Sequence, residues 1–169
     1  AKTLAGMENV LAKELEGFGC VEIRQLRRAV EYYGDTTLLY KSNLWSRYAT
    51  SILKPVFDFN FNDQQGFYDK MRAFKWDDLF TVEKSIAIGA VASNSVFTNT
   101  HFVAQRAKDA IVDFFREKTN LRPNVDLDNP QIKINIFINR DFCSVSFDSS
   151  GAPLFKRGYR KNPGAAPLS

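Results

Sequence analysis

Hydrophobic positions in the first third of the chain change between helical and extended spacing. Residues 6–18 place apolar side chains at helical intervals, which predicts an amphipathic helix. Residues 21–33 alternate in part, as one or two half-buried strands would. Asp35 or Thr36 can cap a second helix, and residues 48–59 return to extended character. The predicted order is therefore helix, strands, helix and strand.

This order is that of a small ferredoxin-like sandwich without its first strand. One more strand before residue 1 would complete the sheet, and the sequence starts too late to supply most of it. A missing strand would leave a sheet edge unpaired. We therefore expect an α+β fold that opens with a ferredoxin-like subdomain over residues 1–60, and the sequence leaves open whether its first strand is present.

The second half of the chain has stronger periodic patterns. A short helix is predicted over residues 66–74, a strand over 82–92, and the clearest helix of the chain over 101–118. Every second residue from Ile132 to Ile138 is isoleucine, which is the strongest strand signal in the sequence. A turn at residues 139–141 then leads into a partner strand.

These patterns divide the chain into three parts. An α/β subdomain is predicted over residues 61–150, after the ferredoxin-like one. Glycine, proline and basic residues dominate from there on, so residues 151–169 are expected to form a basic linker.

Charge is concentrated at one end of the chain. The 169 residues carry a formal net charge of +4. Residues 150–169 contain four basic residues and no acidic one, so the excess lies there. Such a tail favours a polyanion or an acidic neighbouring domain as partner, although a solvated linker would have the same composition.

Several classes of protein are excluded by what the sequence lacks. No apolar run approaches the roughly 20 residues of a membrane helix. Cys20 and Cys143 lie far apart without CxxC spacing, so we expect no disulfide or zinc site and a cytoplasmic location. His101 is the single histidine, and neither a GxGxxG nor a GxxxxGK[ST] motif occurs. We therefore expect no catalytic residue and no metal site, and interpret the chain as a binding module.

Six groups of residues, in order along the chain, resemble one protein family. They are Gly6-Met7-Glu8 with Leu11-Ala12-Lys13-Glu14-Leu15; Tyr40-Lys41-Ser42-Asn43-Leu44-Trp45-Ser46-Arg47; Lys108-Asp109-Ala110-Ile111-Val112-Asp113 with Arg122-Pro123; Ser146-Phe147-Asp148-Ser149-Ser150-Gly151; Leu154-Phe155-Lys156-Arg157-Gly158-Tyr159-Arg160; and Ala166-Pro167-Leu168. Together they resemble the N-terminal region of bacterial methyltransferases that modify guanine N2 in large-subunit rRNA. Members of this family are often labelled adenine-specific DNA methylases.

The resemblance implies a ferredoxin-like subdomain followed by a THUMP subdomain that binds structured RNA, in particular rRNA. It also implies a downstream methyltransferase domain that uses S-adenosylmethionine and is absent from this chain, so no cofactor is expected in this segment. Two alternatives stay open: a protein-interaction module, and the front end of a DNA adenine methylase.

RNA binding needs cations that replace phosphate counterions and planar groups that stack on unpaired bases. The candidate RNA-binding residues are Arg72, Lys75, Asn99, His101, Arg106, Lys108, Arg122, Lys156, Arg157, Tyr159 and Arg160.

Some of these candidates have a second interpretation. Arg106 and Lys108 lie roughly 200° apart around a helix, so we expect them on different faces. Lys108 can instead pair with Asp109. Asn99 and His101 can simply cap the helix, and Tyr159 can dock on the downstream domain.

Overall fold

The computed structural model describes residues 1–158, which form two compact units. The first unit contains residues 1–53 and, within the described range, residues 149–158. The second unit contains residues 54–148. The chain therefore leaves the first unit, forms the second without interruption, and then returns to the first.

The first unit is built from two helices and a small sheet. Helix α1 is Glu8–Phe18 and helix α2 is Thr36–Trp45. Strands β1 (Val21–Leu26) and β2 (Ala29–Tyr33) follow α1 and precede α2 along the chain. The two strands pair antiparallel. The order of these four elements is the predicted one, but the strand expected over residues 48–59 is Leu53–Asn60 and belongs to the sheet of the second unit.

Local sequence explains where the two helices begin and end. Gly19 adopts a φ of 96° at the end of α1, a left-handed conformation that glycine reaches without steric cost. Asp35 caps α2 by accepting a hydrogen bond from the Leu38 N–H at 2.8 Å. Of the two capping residues that the sequence offered, Asp35 is therefore the one used.

The place of the expected first strand is occupied by residues 1–3. The Val30 N–H donates to the Ala1 carbonyl at 2.8 Å on the β2 side. The Lys2 N–H donates to the Ser51 carbonyl at 2.8 Å on the other side. Lys2 therefore forms isolated β-bridges to Ala29 and Ser51, and the strands of the sheet in this unit are β1 and β2.

A small core closes the first unit. Leu11 and Leu15 of α1 are fully buried beside Val30 and Ile52. Leu154, from the segment that follows the second unit, completes the same cluster. The unit therefore depends on chain from both sides of its neighbour.

The second unit contains a four-stranded sheet with helices. Its elements are β3 (Leu53–Asn60), α3 (Gln64–Ala73), a 3-10 turn (Trp76–Asp78), β4 (Ile86–Ser93), α4 (Thr100–Thr119), β5 (Ile132–Asn139) and β6 (Phe142–Asp148). The strand order is β3-β6-β5-β4. β4 and β5 are parallel, so they need a crossover connection, which includes α4. β5 and β6 form an antiparallel hairpin.

The isoleucine alternation has the predicted result. Ile134, Ile136 and Ile138 are fully buried, and the residues between them are not. Arg140 in the following turn has a φ of 59°, which allows β6 to start at Phe142. The hairpin that the sequence predicted is therefore present.

One predicted boundary in this unit differs from the structure, and one core position of α4 is decided by packing. The strand expected over residues 82–92 begins at Ile86, because Thr81 closes a turn by accepting from the Lys84 N–H at 3.1 Å. On α4, Phe115 rather than Phe114 enters the core, four residues after buried Ile111. Helical spacing allows either phenylalanine, and packing selects one.

The core of the second unit is rich in aromatic side chains. Trp76 is fully buried, and its indole N–H donates to the Met71 carbonyl at 2.7 Å. Phe67 and Phe97 meet edge to face at 5.1 Å between ring centroids.

Among residues 1–158, no helix is both long and apolar enough to cross a membrane.

Candidate nucleic-acid interface

A surface hollow of about 630 Å³ lies beside α4 in the second unit, and we refer to it as the α4 hollow. It is bounded by α4, Tyr68 of α3 and the loop residues 122–125. Its charged lining residues are Arg106, Lys108, Asp109, Asp113, Arg116 and Arg122. Four cations against two carboxylates give this hollow a local positive excess.

Arg106 is held in place by two neighbours from α3. Its guanidinium lies 4.4 Å from the centroid of the Tyr68 ring and donates to Gln65 Oε1 at 2.6 Å. The Tyr68 hydroxyl in turn donates to Asp113 Oδ2 at 2.6 Å. A cation over a ring is stabilised by the quadrupole of the ring, so Arg106 is ordered before any ligand arrives.

Asp113 connects this pair to a second cation. Its other oxygen lies 3.3 Å from Arg116 Nη1. Burial, and then the hydrogen bond to Asp113, raise the pKa of the Tyr68 hydroxyl above its ordinary value. Tyr68 therefore remains a neutral donor to Asp113 at physiological pH.

Lys108 lies 2.8 Å from Asp109 Oδ1, which is the pairing left open by the sequence. Arg106 and Lys108 were expected on different faces of the helix, and the side chains of both line the α4 hollow. Their backbone positions do point apart. Long side chains and a wide hollow bring both cations to one site.

Arg122 is the most available cation of the hollow. It is exposed, and its guanidinium has no polar partner among residues 1–158. Its loop is nevertheless fixed to β4, because Ile86 N–H donates to the Asn124 carbonyl at 2.9 Å and Pro123 is buried. A tethered loop that carries an unpaired cation suits recognition of an anion.

Arg72 and Lys75 lie outside the lining of the hollow. Arg72 Nη2 pairs with Glu117 Oε2 at 2.8 Å, a contact that raises the pKa of the guanidinium further. Lys75 is exposed at the end of α3. The neighbouring Lys118 pairs with Asp77, so part of the positive charge here is already compensated.

Asn99 and His101 occupy the start of α4, where the helix-cap alternative is the one observed. Asn99 Oδ1 accepts from the His101 N–H at 2.8 Å, and the His101 ring contacts the Gln105 amide at 3.2 Å. The side chain of Asn99 therefore already accepts from a helix N–H that could otherwise donate to a phosphate.

Arg157 has a structural partner that the sequence did not reveal. Its guanidinium donates to the carbonyls of Asn43, Leu44 and Ser46, at 3.2 Å for Leu44 and 2.9 Å for Ser46. The last carbonyls of a helix lack partners within the helix and carry partial negative charge. The RNA contact predicted for Arg157 therefore stays a prediction, because these hydrogen bonds already use its guanidinium at the end of α2.

The segment that contains Arg157 is also more than a linker. Leu154 is buried in the first unit, and its N–H donates to the Thr50 carbonyl at 2.9 Å. Lys156 is exposed beside it. Tyr159 and Arg160 lie outside the described residues.

A second hollow lies in the first unit and differs in character. It encloses about 780 Å³ next to the end of α2, and we refer to it as the α2 groove. Trp45, Tyr48 and Phe155 line it together with Arg47. No local pattern in the sequence distinguishes these exposed rings from buried ones.

Neither hollow is lined by histidine. No glycine lines either of them, whereas cofactor-binding turns use glycines for close backbone approach. Within the described range, no cluster of three or more histidine, cysteine or acidic residues could hold a metal ion. The arrangement can bind and orient a ligand.

The fold and the α4 hollow define a two-unit α+β binding module. Family models agree: one for the THUMP domain matches residues 62–148, and one for the RlmL ferredoxin-like domain matches residues 1–53. The chain belongs to the THUMP domain family, and the resemblance recognised in the sequence is confirmed for both parts.

Individual relatives give the same result. The chain is 39% identical over 163 residues to a ribosomal RNA large subunit methyltransferase K/L of Marinomonas sp. strain MWYL1, covering 96% of this chain and 23% of that protein. A crystal structure described as a predicted N6-adenine-specific DNA methylase from Listeria monocytogenes superposes with a TM-score of 0.83 at 25% identity, covering 99% of this chain and 44% of that one. A methyltransferase crystallised with SAH superposes with a TM-score of 0.81 at 27% identity, covering 96% and 44%.

The chain thus spans about a quarter of the length of its curated relative and less than half of these solved chains. The similarity covers both units of this chain, and it covers only part of each relative.

Proposed function

We propose that this chain is the RNA-binding, substrate-docking module of an S-adenosylmethionine-dependent rRNA methyltransferase that modifies guanine N2. The observation that carries the proposal is the α4 hollow, where cations held by α3 and a fixed loop lie on a THUMP domain. The relative from Marinomonas is named as an rRNA methyltransferase, which supports RNA as the ligand.

The hollow would bind RNA chiefly through its phosphates. Arg122 offers an unpaired guanidinium, and Arg106 offers one held over the Tyr68 ring. Because Asp109 and Asp113 already compensate part of the charge, binding depends on the local arrangement of cations rather than on net charge. Counterion release then makes the affinity sensitive to salt. Arg72, Lys75 and Lys156 would add weaker contacts around the site.

The chemistry belongs, in this proposal, to a methyltransferase domain elsewhere in a longer protein. S-adenosylmethionine would bind there, in agreement with the relative that was crystallised with SAH. The present chain would hold structured rRNA so that one guanine reaches that domain, in the cytoplasm where ribosomes are assembled.

DNA is the second candidate ligand, because the Listeria structure is described as an adenine-specific DNA methylase. RNA and DNA duplexes differ in groove shape and in the 2′-hydroxyl. A direct comparison of matched duplexes therefore distinguishes the two.

The test is a titration of a labelled RNA hairpin, and of a DNA hairpin of the same sequence, at two salt concentrations. We expect the RNA to bind more tightly. Arg122→Gln should reduce the log–log salt slope by about 0.9, the contribution of one phosphate contact. Arg140→Gln is the matched control, because Arg140 is an exposed arginine of the same unit that does not line the hollow.

Equal loss of affinity in both variants would mean that charge acts without a defined site. Tighter binding of the DNA hairpin would transfer the proposal to a DNA methylase. Absence of binding to both would reject it in favour of a protein-interaction module.

A further inference from the structure

The α2 groove of the first unit has an unusual lining for a protein surface. It is formed by the side chains that follow the end of α2 and by the returning segment near residue 155. Leu4, Met7 and Leu154 form its apolar base. Three aromatic rings, those of Trp45, Tyr48 and Phe155, complete the lining.

Two of these rings remain largely accessible to solvent. Trp45 is 67% exposed and Phe155 is 57% exposed. The other tryptophan of the chain, Trp76, is fully buried. Single exposed apolar residues are common, but large rings gathered in one hollow indicate a binding surface.

Cations flank the rings. Arg47 lines the groove with its guanidinium unpaired in the described part of the chain, and Lys156 is exposed next to Phe155. Arg157 also contributes its positive charge to the lining. None of the described residues that line the groove is acidic. The groove therefore complements a ligand that combines flat apolar groups with negative charge.

Trp45 is also held at a defined position. It is the last residue of α2, and Arg157 binds the carbonyls of Leu44 and Ser46 on either side of it. Arg157 is thus a positioning residue for this ring. A preorganised ring loses little conformational freedom when a ligand binds.

We propose that the α2 groove binds unpaired nucleotides of RNA, with bases stacked on Trp45 and Phe155 and phosphates paired with Arg47 and Lys156. Sites for single strands combine a positive groove with aromatic side chains in this way. An apolar protein partner would need the rings but not the unpaired cations. The groove lies in the ferredoxin-like unit, so this site is separate from the α4 hollow of the second unit.

Intrinsic fluorescence gives a direct test, because Trp45 is accessible and Trp76 is not. The protein is titrated with a single-stranded RNA hexamer and with a blunt duplex of the same strand and its complement. We expect the hexamer to quench tryptophan emission and the duplex to leave it nearly unchanged.

Anisotropy of a labelled hexamer then measures the variants. Trp45→Leu should weaken binding on the order of 10-fold, since stacking on one ring contributes that much per base. Trp45→Phe retains a ring and should recover most of the affinity. Tyr40→Leu is the matched control, because Tyr40 is an exposed ring on the same helix that does not line the groove.

The proposal is wrong if the hexamer binds without quenching, or if Trp45→Leu and Tyr40→Leu bind alike. Equal quenching by hexamer and duplex would also reject unpaired bases as the ligand. An acidic, leucine-rich peptide that quenches Trp45 while the hexamer does not would assign the groove to a protein partner instead.

Discussion

The two units of this chain reach a stable core by different routes. The second unit is formed by one uninterrupted stretch, and its core contains Trp76 and a group of stacked phenylalanines. The first unit has a smaller core that is completed by Leu154, which arrives after the whole second unit. A continuous unit can close its core locally, whereas the first unit depends on chain that is remote in sequence.

The two units also differ in which part of the chain orders their surface hollows. Cations of the α4 hollow are ordered by carboxylates and a ring within the second unit. The α2 groove instead owes its order to the returning segment, through Phe155 and Arg157. The returning segment, predicted to be a linker, therefore contributes both to a core and to a surface.

The largest effect is expected for Trp76→Ala. Removal of a fully buried tryptophan should lower the free energy of unfolding by about 3–5 kcal/mol, because it leaves a cavity. Denaturant unfolding measures the loss, and faster labelling of buried Cys143 would locate it in the second unit. Trp45→Ala is the control and should stay within about 0.5 kcal/mol. Similar losses in both variants would contradict the difference in burial.

The corresponding change in the first unit is Leu154→Ala. We expect a loss of about 2–4 kcal/mol, because the side chain belongs to the core of that unit. Thiol labelling should accelerate at Cys20 and remain slow at Cys143, one cysteine lying in each unit. Phe155→Ala alters an exposed neighbour and should change neither rate. If Leu154→Ala behaved like Phe155→Ala, residues 149–158 would be a linker after all.

Arg157→Gln should have a smaller effect on stability. It removes charge-assisted hydrogen bonds to the end of α2, which contribute about 1–2 kcal/mol when partly exposed. Lys156→Gln should leave stability unchanged. Hairpin RNA binding at the α4 hollow should be the same in Arg157→Gln and in the unmodified chain. A loss of hairpin affinity without loss of stability would identify Arg157 as an RNA contact.

The smallest effect concerns pH. Burial raises the pKa of the Cys143 thiol to about 12, from an ordinary value of 9.0. The unfolded chain therefore loses this proton first, so stability that is complete below pH 9 decreases as the pH rises from about 9 towards 12. At pH 10 the decrease should be about 1.4 kcal/mol. The free energy of unfolding of Cys143→Ala should fall less between pH 8 and pH 10 than that of the unmodified chain. An equal fall in both proteins would contradict the prediction.

The order of helices and strands was predictable from the sequence because local period decides it. The isoleucines from Ile132 to Ile138 repeat every second residue, which only an extended strand can bury on one face. Helix α4 was equally clear from its apolar stripe. The ends of elements were less so, and the strand that starts at Ile86 shows why: a turn at Thr81 competes with the apolar pattern.

The sites were predictable only in part. Arg106, Lys108 and Arg122 were candidates, and all three line the α4 hollow. Tyr68 and Asp113, which order Arg106 and Arg116, were missed because the pairs join two helices that are far apart in sequence.

The sequence by itself determined the α+β class, the family and the positions of most cations, because these depend on local period and on motif order. The tertiary structure decided which tryptophan is buried, where Arg157 donates its hydrogen bonds and that Lys2 bridges Ala29 and Ser51. Each of these depends on a partner that is distant along the chain. Local spacing contains no information about such partners, and only packing and hydrogen-bond satisfaction select them.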